Sequence, residues 1–111
     1  MQDNKNIFYK KKILIYGLGK TGLSAYKFLK KKNELYFYDD LKVKNINLGI
    51  KKKIIDYKKV FNYNFDHIII SPGINIHNCK ISNFLKKNIK KINTDLDIFF
   101  SMYSTNRNIT I

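Results

Sequence analysis

A glycine-rich turn between an apolar run and a helical pattern is the feature that most constrains this chain. Residues 12–16 (KILIY) are short, apolar and β-branched, and they predict a buried strand. Gly17, Gly19 and Gly22 follow with the spacing G-x-G-x-x-G, and residues 20–32 predict a helix. Such a turn aims the first N–H groups of the helix, at the positive end of its dipole, toward an anion. The pattern favours an anion site but leaves dinucleotides, UDP-sugars and an empty turn as alternatives.

Each glycine of the turn has its own expected role. Gly17 permits the tight turn, Gly19 lets the backbone approach an oxyanion, and Gly22 lets the helix pack against the strand. The expected donors to the anion are the N–H groups of Lys20 and Thr21. The predicted buried face of the helix combines Gly22 with apolar residues at three-residue intervals, namely Leu23, Tyr26 and Leu29.

Strand and helix patterns alternate along the rest of the chain. Further strands are predicted at 34–38 (ELYFY), 53–56 (KIID), 67–70 (HIII), 90–93 (KKIN) and 108–111 (NITI). Residues 57–64 predict a loop or a weak helix. A helix is predicted over 79–89, with an apolar side made of Ile81, Phe84, Leu85 and Ile89. Thr94 is the expected N-cap of a last helix, from Asp95 to about Tyr103, with Asp97 completing a capping box.

This alternation predicts an α/β fold with a Rossmann-like doubly wound parallel sheet, in three αβα layers. Ligands of such sheets bind beyond the carboxyl ends of the strands, where the strand order reverses. Asp39 and Asp40 follow the 34–38 strand, and Ser71-Pro72-Gly73 follows the 67–70 strand. An acid at the first of these positions can accept hydrogen bonds from ribose hydroxyls. We therefore expect these residues to share one site with the glycine turn.

The formal charge of +14 would ordinarily suggest a nucleic-acid or acidic-membrane partner. However, 21 of the 22 basic residues are lysine, so that only Arg107 offers a bidentate fork. Lys, Ile, Asn, Tyr and Phe, whose codons are all A/T-rich, account for 69 of the 111 residues. Codon bias explains this whole set, whereas a binding surface explains only the lysines, which are spread along the sequence. We therefore expect solvated lysines, no nucleic-acid partner and no membrane partner.

No group of residues for chemistry stands out. Cys79 is the only cysteine, which excludes an internal disulfide, and His67 and His77 have no carboxylate at ligand spacing. The sequence has no apolar run of about 18 residues and no signal-peptide core. These observations predict one reduced, cytoplasmic domain that binds a ligand, with no catalytic residue and no metal site.

A series of motifs, in order and at matching intervals, is similar to one known family. The motifs are GLGKTGLSA, YDD, IISPGI, TDLDIFF and a final NITI. Together they resemble the N-terminal domain of the MurD family of Mur ligases, the UDP-N-acetylmuramoyl-L-alanine:D-glutamate ligases, over residues 12–111. The resemblance implies an enzyme of peptidoglycan biosynthesis that adds D-glutamate to UDP-N-acetylmuramoyl-L-alanine with ATP and magnesium. This domain would bind the UDP part of that substrate.

The resemblance also assigns roles to residues of this chain. Lys20 and Thr21 would meet the diphosphate, Asp39 and Asp40 would lie beside the uracil and ribose, and the Ser-Pro-Gly corner would flank the uracil. Asp40 and Leu41 depart from the family, which often has a small or polar residue and then a basic one, and Asp97 stands where Glu is usual. The whole predicted UDP site is Gly19, Lys20, Thr21, Gly22, Asp39, Asp40, Ser71, Pro72 and Gly73.

The same resemblance predicts a domain boundary. Residues 1–106 would form the UDP-binding domain, and residues 107–111 would begin the first strand of an ATP-binding central domain. The rest of that domain and a D-glutamate-binding C-terminal domain lie outside this sequence. We therefore expect the 111-residue chain to bind neither ATP nor magnesium and to be inactive by itself.

Two other functions fit part of the pattern. An NAD(H)-binding Rossmann domain of a dehydrogenase or regulatory sensor accounts equally well for the glycine spacing and Asp39, but not for the Ser-Pro-Gly corner, TDLDIFF or the final strand. A basic nucleic-acid-binding domain is disfavoured by the near absence of arginine.

Overall fold

The computed structural model describes residues 8–40, 48–94, 96–98 and 100. Residues 96–98 and 100 are helical. The other elements, in chain order, are β1 (Lys12–Tyr16), α1 (Lys20–Leu29), β2 (Glu34–Tyr38), α2 (Leu48–Lys51), α3 (Tyr57–Val60), β3 (His67–Ile70), α4 (Ser82–Lys87), a 3-10 turn (Ile89–Lys91) and β4 (Ile92–Asn93).

The four strands form one parallel sheet in the order β2-β1-β3-β4. The chain moves from β1 to β2 on one side and then crosses to β3 on the other, so the strand order reverses between β1 and β3. This topology confirms the α/β, Rossmann-like doubly wound fold that the alternating pattern predicted. All described strands end at the same edge of the sheet, which is where the predicted site residues lie.

Helices cover both faces of the sheet, because the side chains of β1 alternate between two buried clusters. Ile13 and Ile15 pack in one cluster with Ala25 and Leu29 of α1. Leu14 and Tyr16 pack in the other with residues of α3 and α4, including Val60, Phe84 and Leu85. The result is three layers, with α1 on one face and α3 and α4 on the other. No helix in the described part of the chain is long and apolar enough to cross a membrane.

The strands predicted at 12–16, 34–38 and 67–70 are confirmed at both ends. The strand predicted at 53–56 is wrong, because only Ile54 pairs with the sheet, in a single parallel bridge to Phe37. Asp56 explains why the pairing stops there. Its side chain accepts a hydrogen bond from the N–H of Lys59 at 2.9 Å and caps α3, so the chain turns away from the sheet.

Helix α1 differs from the prediction in its end and in its buried face. It ends at Leu29, not at residue 32, because the side chain of Asn33 donates a hydrogen bond to the Leu29 carbonyl at 3.0 Å. Gly22, Ala25 and Leu29 are buried against the sheet, whereas Leu23 is 39% exposed. A helix that contacts the turn through Gly22 must place Leu23, about 100° further round, toward solvent.

The predicted 79–89 helix is shorter in the structure, Ser82–Lys87, and the strand predicted at 90–93 is reduced to Ile92–Asn93. Ile81, Phe84 and Leu85 are buried as expected. Ile89 is 52% exposed, because the chain leaves the α-helical path there for a 3-10 turn.

Thr94 and Asp97 form the predicted start of the last helix. The N–H of Thr94 donates to the Asp97 carboxylate at 2.7 Å, which is one half of a capping box. Asp95, residues 101–103 at the predicted helix end and the strand predicted at 108–111 lie outside the described residues.

Candidate functional site at the carboxyl edge of the sheet

The glycine turn is fixed by two close backbone approaches. Gly17 has φ +102°, a conformation that side chains disfavour, and its N–H donates to the Tyr38 carbonyl at 2.8 Å. A Cβ at Gly22 would lie 1.9 Å from the Gly17 carbonyl oxygen. Gly17 therefore requires glycine for the tight turn, and Gly22 requires it for packing, as the sequence predicted.

Gly19 is different, because nothing in the protein crowds it. A Cβ there would meet no atom within 4 Å, and its φ of −77° is accessible to any residue. Gly19 is the N-cap of α1, which has no side-chain cap and no acidic residue in its first turn. The first-turn backbone of Lys20 and Thr21 thus begins a ten-residue helix beside open space. This arrangement is suited to an anion.

Asp39 joins the end of β2 to the glycine turn. Its carboxylate accepts a hydrogen bond from the Leu18 N–H at 2.8 Å. This bond orients the turn and leaves the carboxylate half-buried at the carboxyl edge. Asp39 therefore has a structural role in the turn, and it lies at the same edge of the sheet as the first turn of α1.

Asp40 is held by two tyrosines. The hydroxyl of Tyr38 donates to one carboxylate oxygen at 2.9 Å, and the hydroxyl of Tyr16 donates to the other. Tyr16 and Tyr38 are register partners at the ends of β1 and β2, and their ring centroids are 5.3 Å apart. Burial, followed by the hydrogen bond to Asp40, raises the pKa of both hydroxyls above the ordinary tyrosine value. Both tyrosines therefore remain donors, and they fix the orientation of the Asp40 carboxylate.

A cleft of about 600 Å³ opens beside these two acids. Apolar surface from Leu18, Ile54, Ile55 and Tyr57 lines it, together with the charged groups of Asp39, Asp40, Asp56, Lys51 and Lys80. Tyr57 is 45% exposed. Apolar walls with a few fixed polar groups are typical of small-molecule sites, and this volume suits a nucleoside-sized ligand.

The Ser-Pro-Gly corner lies on the other side of the glycine turn. Ser71 donates to the Tyr16 carbonyl through its N–H at 3.3 Å and its hydroxyl at 3.4 Å. Ile74 N–H closes the turn on the Ser71 carbonyl at 3.1 Å, leaving Pro72 and Gly73 exposed.

The structure therefore brings the predicted site residues to one edge, but not into one cleft. Of the nine, Asp39 and Asp40 line the 600 Å³ cleft, whereas the glycine turn and the Ser-Pro-Gly corner lie beside it.

Sequence reasoning missed the two tyrosines that hold the predicted Asp40, and it missed three further residues that line the cleft. The Tyr16–Asp40–Tyr38 group had a usable signal, since both tyrosines end neighbouring parallel strands and so must meet at one edge. The sequence held no such signal for Lys51, Tyr57 and Lys80, because the segments that carry them reach the cleft only through the tertiary fold. In the part of the chain that the structure describes, no three His, Cys, Asp or Glu residues come together as metal ligands.

Comparison with known proteins gives a consistent result. The family model for the N-terminal domain of MurD-like Mur ligases matches residues 11–93. A UDP-N-acetylmuramoylalanine--D-glutamate ligase from Rickettsia bellii (strain RML369-C) is 37% identical over 97 residues, which are 85% of this chain and 21% of that protein. The ligase of the same name from Rickettsia conorii (strain ATCC VR-613 / Malish 7) is 36% identical over 99 residues, 86% of this chain and 20% of that protein.

A more distant relative covers more of the chain. The ligase of that name from Wolbachia pipientis wMel is 29% identical over 113 residues, corresponding to 98% of this chain and 22% of that protein. This chain thus spans about a fifth of the length of the relatives that it matches. The family match includes the glycine turn, both acids and the Ser-Pro-Gly corner. The chain belongs to the MurD-like N-terminal domain family of the Mur ligases.

Proposed function

We propose that this chain is the UDP-binding N-terminal domain of a ligase that adds D-glutamate to UDP-N-acetylmuramoyl-L-alanine with ATP, in the cytoplasm, during peptidoglycan biosynthesis. The observation that carries the proposal is the meeting of three family motifs at one edge of the sheet, where β1, β2 and β3 end side by side. The names of the relatives support the reaction and the substrate.

The diphosphate would bind over the glycine turn. Gly19 leaves space for phosphate oxygens, and the N–H groups of Lys20 and Thr21 lie in the first turn of α1. The ammonium group of Lys20 is exposed and adds positive charge there. The ligand then runs from this turn toward the 600 Å³ cleft, with the Ser71–Gly73 corner on its other side.

The nucleoside would occupy the cleft. Tyr57 and Ile54 offer exposed apolar surface to a base, and Asp39 and Asp40 offer acceptors to ribose hydroxyls and to the imide N–H of uracil. Uracil carries a donor at N3 where cytosine carries an acceptor. A carboxylate held in place by two tyrosine hydroxyls therefore favours uracil.

In this proposal, ATP and magnesium would bind to parts of the ligase outside this sequence. The sequence lacks a G-x-x-x-x-G-K-[ST] loop, and the described residues hold no cluster of metal ligands. We therefore assign phosphorylation of the substrate and attack by D-glutamate to parts of the ligase outside this sequence. We propose that residues 107–111 belong to the central domain.

The direct test is a titration of labelled protein with UDP, UDP-N-acetylmuramoyl-L-alanine and NAD, followed by amide chemical shifts. The two uridine ligands should shift the amides of 19–22, 39–40 and 71–73, and NAD should not. Tighter binding of NAD than of UDP would replace this proposal with the dinucleotide alternative.

Gly19→Val adds a test of the anion site. Its side chain would fill the space above the turn, so UDP affinity should fall at least about tenfold, through loss of a charge-assisted contact. The fold should persist, because the φ of residue 19 is −77°, which valine can adopt, and a Cβ at that residue would meet no atom within 4 Å. Unchanged UDP affinity in this folded variant would remove the turn from the site.

A further inference from the structure

A second cleft, of about 640 Å³, opens at the opposite edge of the sheet. Tyr9 lines it together with five lysines, namely Lys10, Lys11, Lys12, Lys31 and Lys32. They come from the segments that lead into β1 and β2, so they lie at the amino ends of these strands. A five-residue strand is about 16 Å long, which separates this lysine cleft from the UDP site.

The fold itself brings these lysines together. The N–H of Lys10 donates to the Lys32 carbonyl at 2.7 Å, and the N–H of Glu34 donates to the Lys11 carbonyl at 2.9 Å. The side chain of Asn33 accepts a further bond from the Lys11 N–H at 3.0 Å. Two lysine triplets that are twenty residues apart along the chain are thus tied backbone to backbone. Codon bias explains how many lysines the chain has, but not this convergence.

The positive charge of the lysine cleft is largely uncompensated. Among the described residues, its one ion pair joins Lys12 to Glu34 at 3.9 Å. Asp66 also lines the cleft, and its carboxylate accepts a hydrogen bond from the backbone N–H of Lys12 at 2.8 Å. Five ammonium groups thus face two carboxylates, and a phosphate chain would relieve their mutual repulsion.

Tyr9 indicates which kind of polyanion fits. Its ring is 46% exposed, and the ammonium groups of Lys10 and Lys32 lie 5.4 Å and 5.5 Å from the ring centroid. An exposed aromatic ring inside a basic groove is how proteins hold single strands, with a base stacked on the ring and phosphates on the lysines. A free polyphosphate would use the charges but not the ring.

We propose that the lysine cleft binds single-stranded nucleic acid without sequence preference. Lysine ammonium groups are suited to phosphate contacts. The scarcity of arginine disfavours sequence-specific contacts with base edges, but it does not disfavour contacts with the phosphate backbone. The proposal departs from the expectation of no nucleic-acid partner, which treated the lysines as dispersed. It does not depend on the proposed UDP site, because the two clefts lie at opposite edges.

Two matched triple variants test the charge contribution. The first is Lys11→Gln, Lys31→Gln and Lys32→Gln in the cleft, and the control is Lys86→Gln, Lys87→Gln and Lys90→Gln, which are exposed elsewhere. Fluorescence anisotropy would follow a labelled oligothymidylate of about 12 nucleotides at several salt concentrations. The cleft variant should bind at least about tenfold more weakly, and the slope of log K against log salt should shrink by about 2. Both variants lose the same charge, so equal weakening would overturn the proposal.

Tyr9→Ser and Tyr9→Phe test the aromatic contribution. Loss of the ring should weaken oligonucleotide binding by about tenfold, while Tyr9→Phe should bind as the parent does. Inorganic polyphosphate should bind all three proteins alike. Circular dichroism would establish that each variant is folded. The proposal would be overturned if Tyr9→Ser bound the oligonucleotide as tightly as the parent does and polyphosphate of matched charge displaced the oligonucleotide at equal concentration. Those two results together would show a general polyanion surface. UDP titration of the same variants should be unaffected.

Discussion

Replacing Gly22 with alanine tests the contact that places α1 on the sheet. Helix propensity alone would make Gly22→Ala more stable by about 1 kcal/mol. In this fold, however, the new Cβ would lie 1.9 Å from the Gly17 carbonyl oxygen. The neighbour is backbone, and it is anchored by the Gly17 N–H bond to Tyr38. The helix or the turn must therefore move by at least about 1 Å to restore ordinary contact.

Overpacking against a fixed neighbour costs up to about 3 kcal/mol, which outweighs the gain in propensity. We expect a net loss of about 2 kcal/mol in the free energy of unfolding, or a fall in Tm of about 10 °C for a domain of this size. Urea and thermal unfolding followed by circular dichroism would measure it. Gly19→Ser is the control, because its side chain meets nothing and serine is a good N-cap, so stability should change by only a few tenths of a kcal/mol. A Gly22→Ala protein as stable as the parent would refute the steric argument.

Three further predictions concern the acids, the tyrosines and activity. UDP should bind at least about tenfold more tightly than CDP. Asp40→Asn should reduce the ratio of the two affinities, because an amide can donate a hydrogen bond as well as accept one. Equal affinities of the parent protein for UDP and CDP would show that Asp40 does not recognise the base. The pKa values of Tyr16 and Tyr38 are raised by burial, so these hydroxyls keep their protons in the folded chain above about pH 10, where unfolded tyrosines ionise. The stability that these protonated hydroxyls contribute is therefore retained below that pH and lost as the pH rises beyond it. In urea titrations, the free energy of unfolding of Tyr38→Phe should fall less above that pH than that of the parent protein. With ATP, magnesium, D-glutamate and UDP-N-acetylmuramoyl-L-alanine, the 111-residue chain should release no phosphate in a malachite green assay, and turnover would contradict the assignment of ATP to other parts of the ligase.

The sequence determined the strands and the position of the main turn. KILIY, ELYFY and HIII are short apolar runs bounded by polar residues or turn formers, and each is a strand with the predicted bounds. The alternation of these runs with helical segments was enough to predict a parallel sheet, since βαβ crossovers are right-handed and sheets of this kind are covered on both faces. Because parallel strands end at one edge, the site residues that follow them could also be predicted to meet there.

Tertiary contacts decided the features for which local patterns were insufficient. Leu23 is exposed because the close approach of Gly22 to Gly17 sets the rotation of α1 about its axis. The KIID segment makes only one bridge because Asp56 starts a helix. In the first case the close packing of the helix on the turn outweighs a weak local preference, and in the second a helix cap does so.

The chemistry of both clefts also depends on residues that are far apart in sequence. Tyr16 and Asp40 meet because β1 and β2 are paired in register, and Lys80 reaches the same cleft through the α4 side of the sheet. Lys10 and Lys32 meet because backbone hydrogen bonds join their segments. The sequence specifies which groups the chain carries and which strand each one follows. Only the packing of the strands and helices specifies which of those groups share a cleft, because that packing sets the distances between side chains.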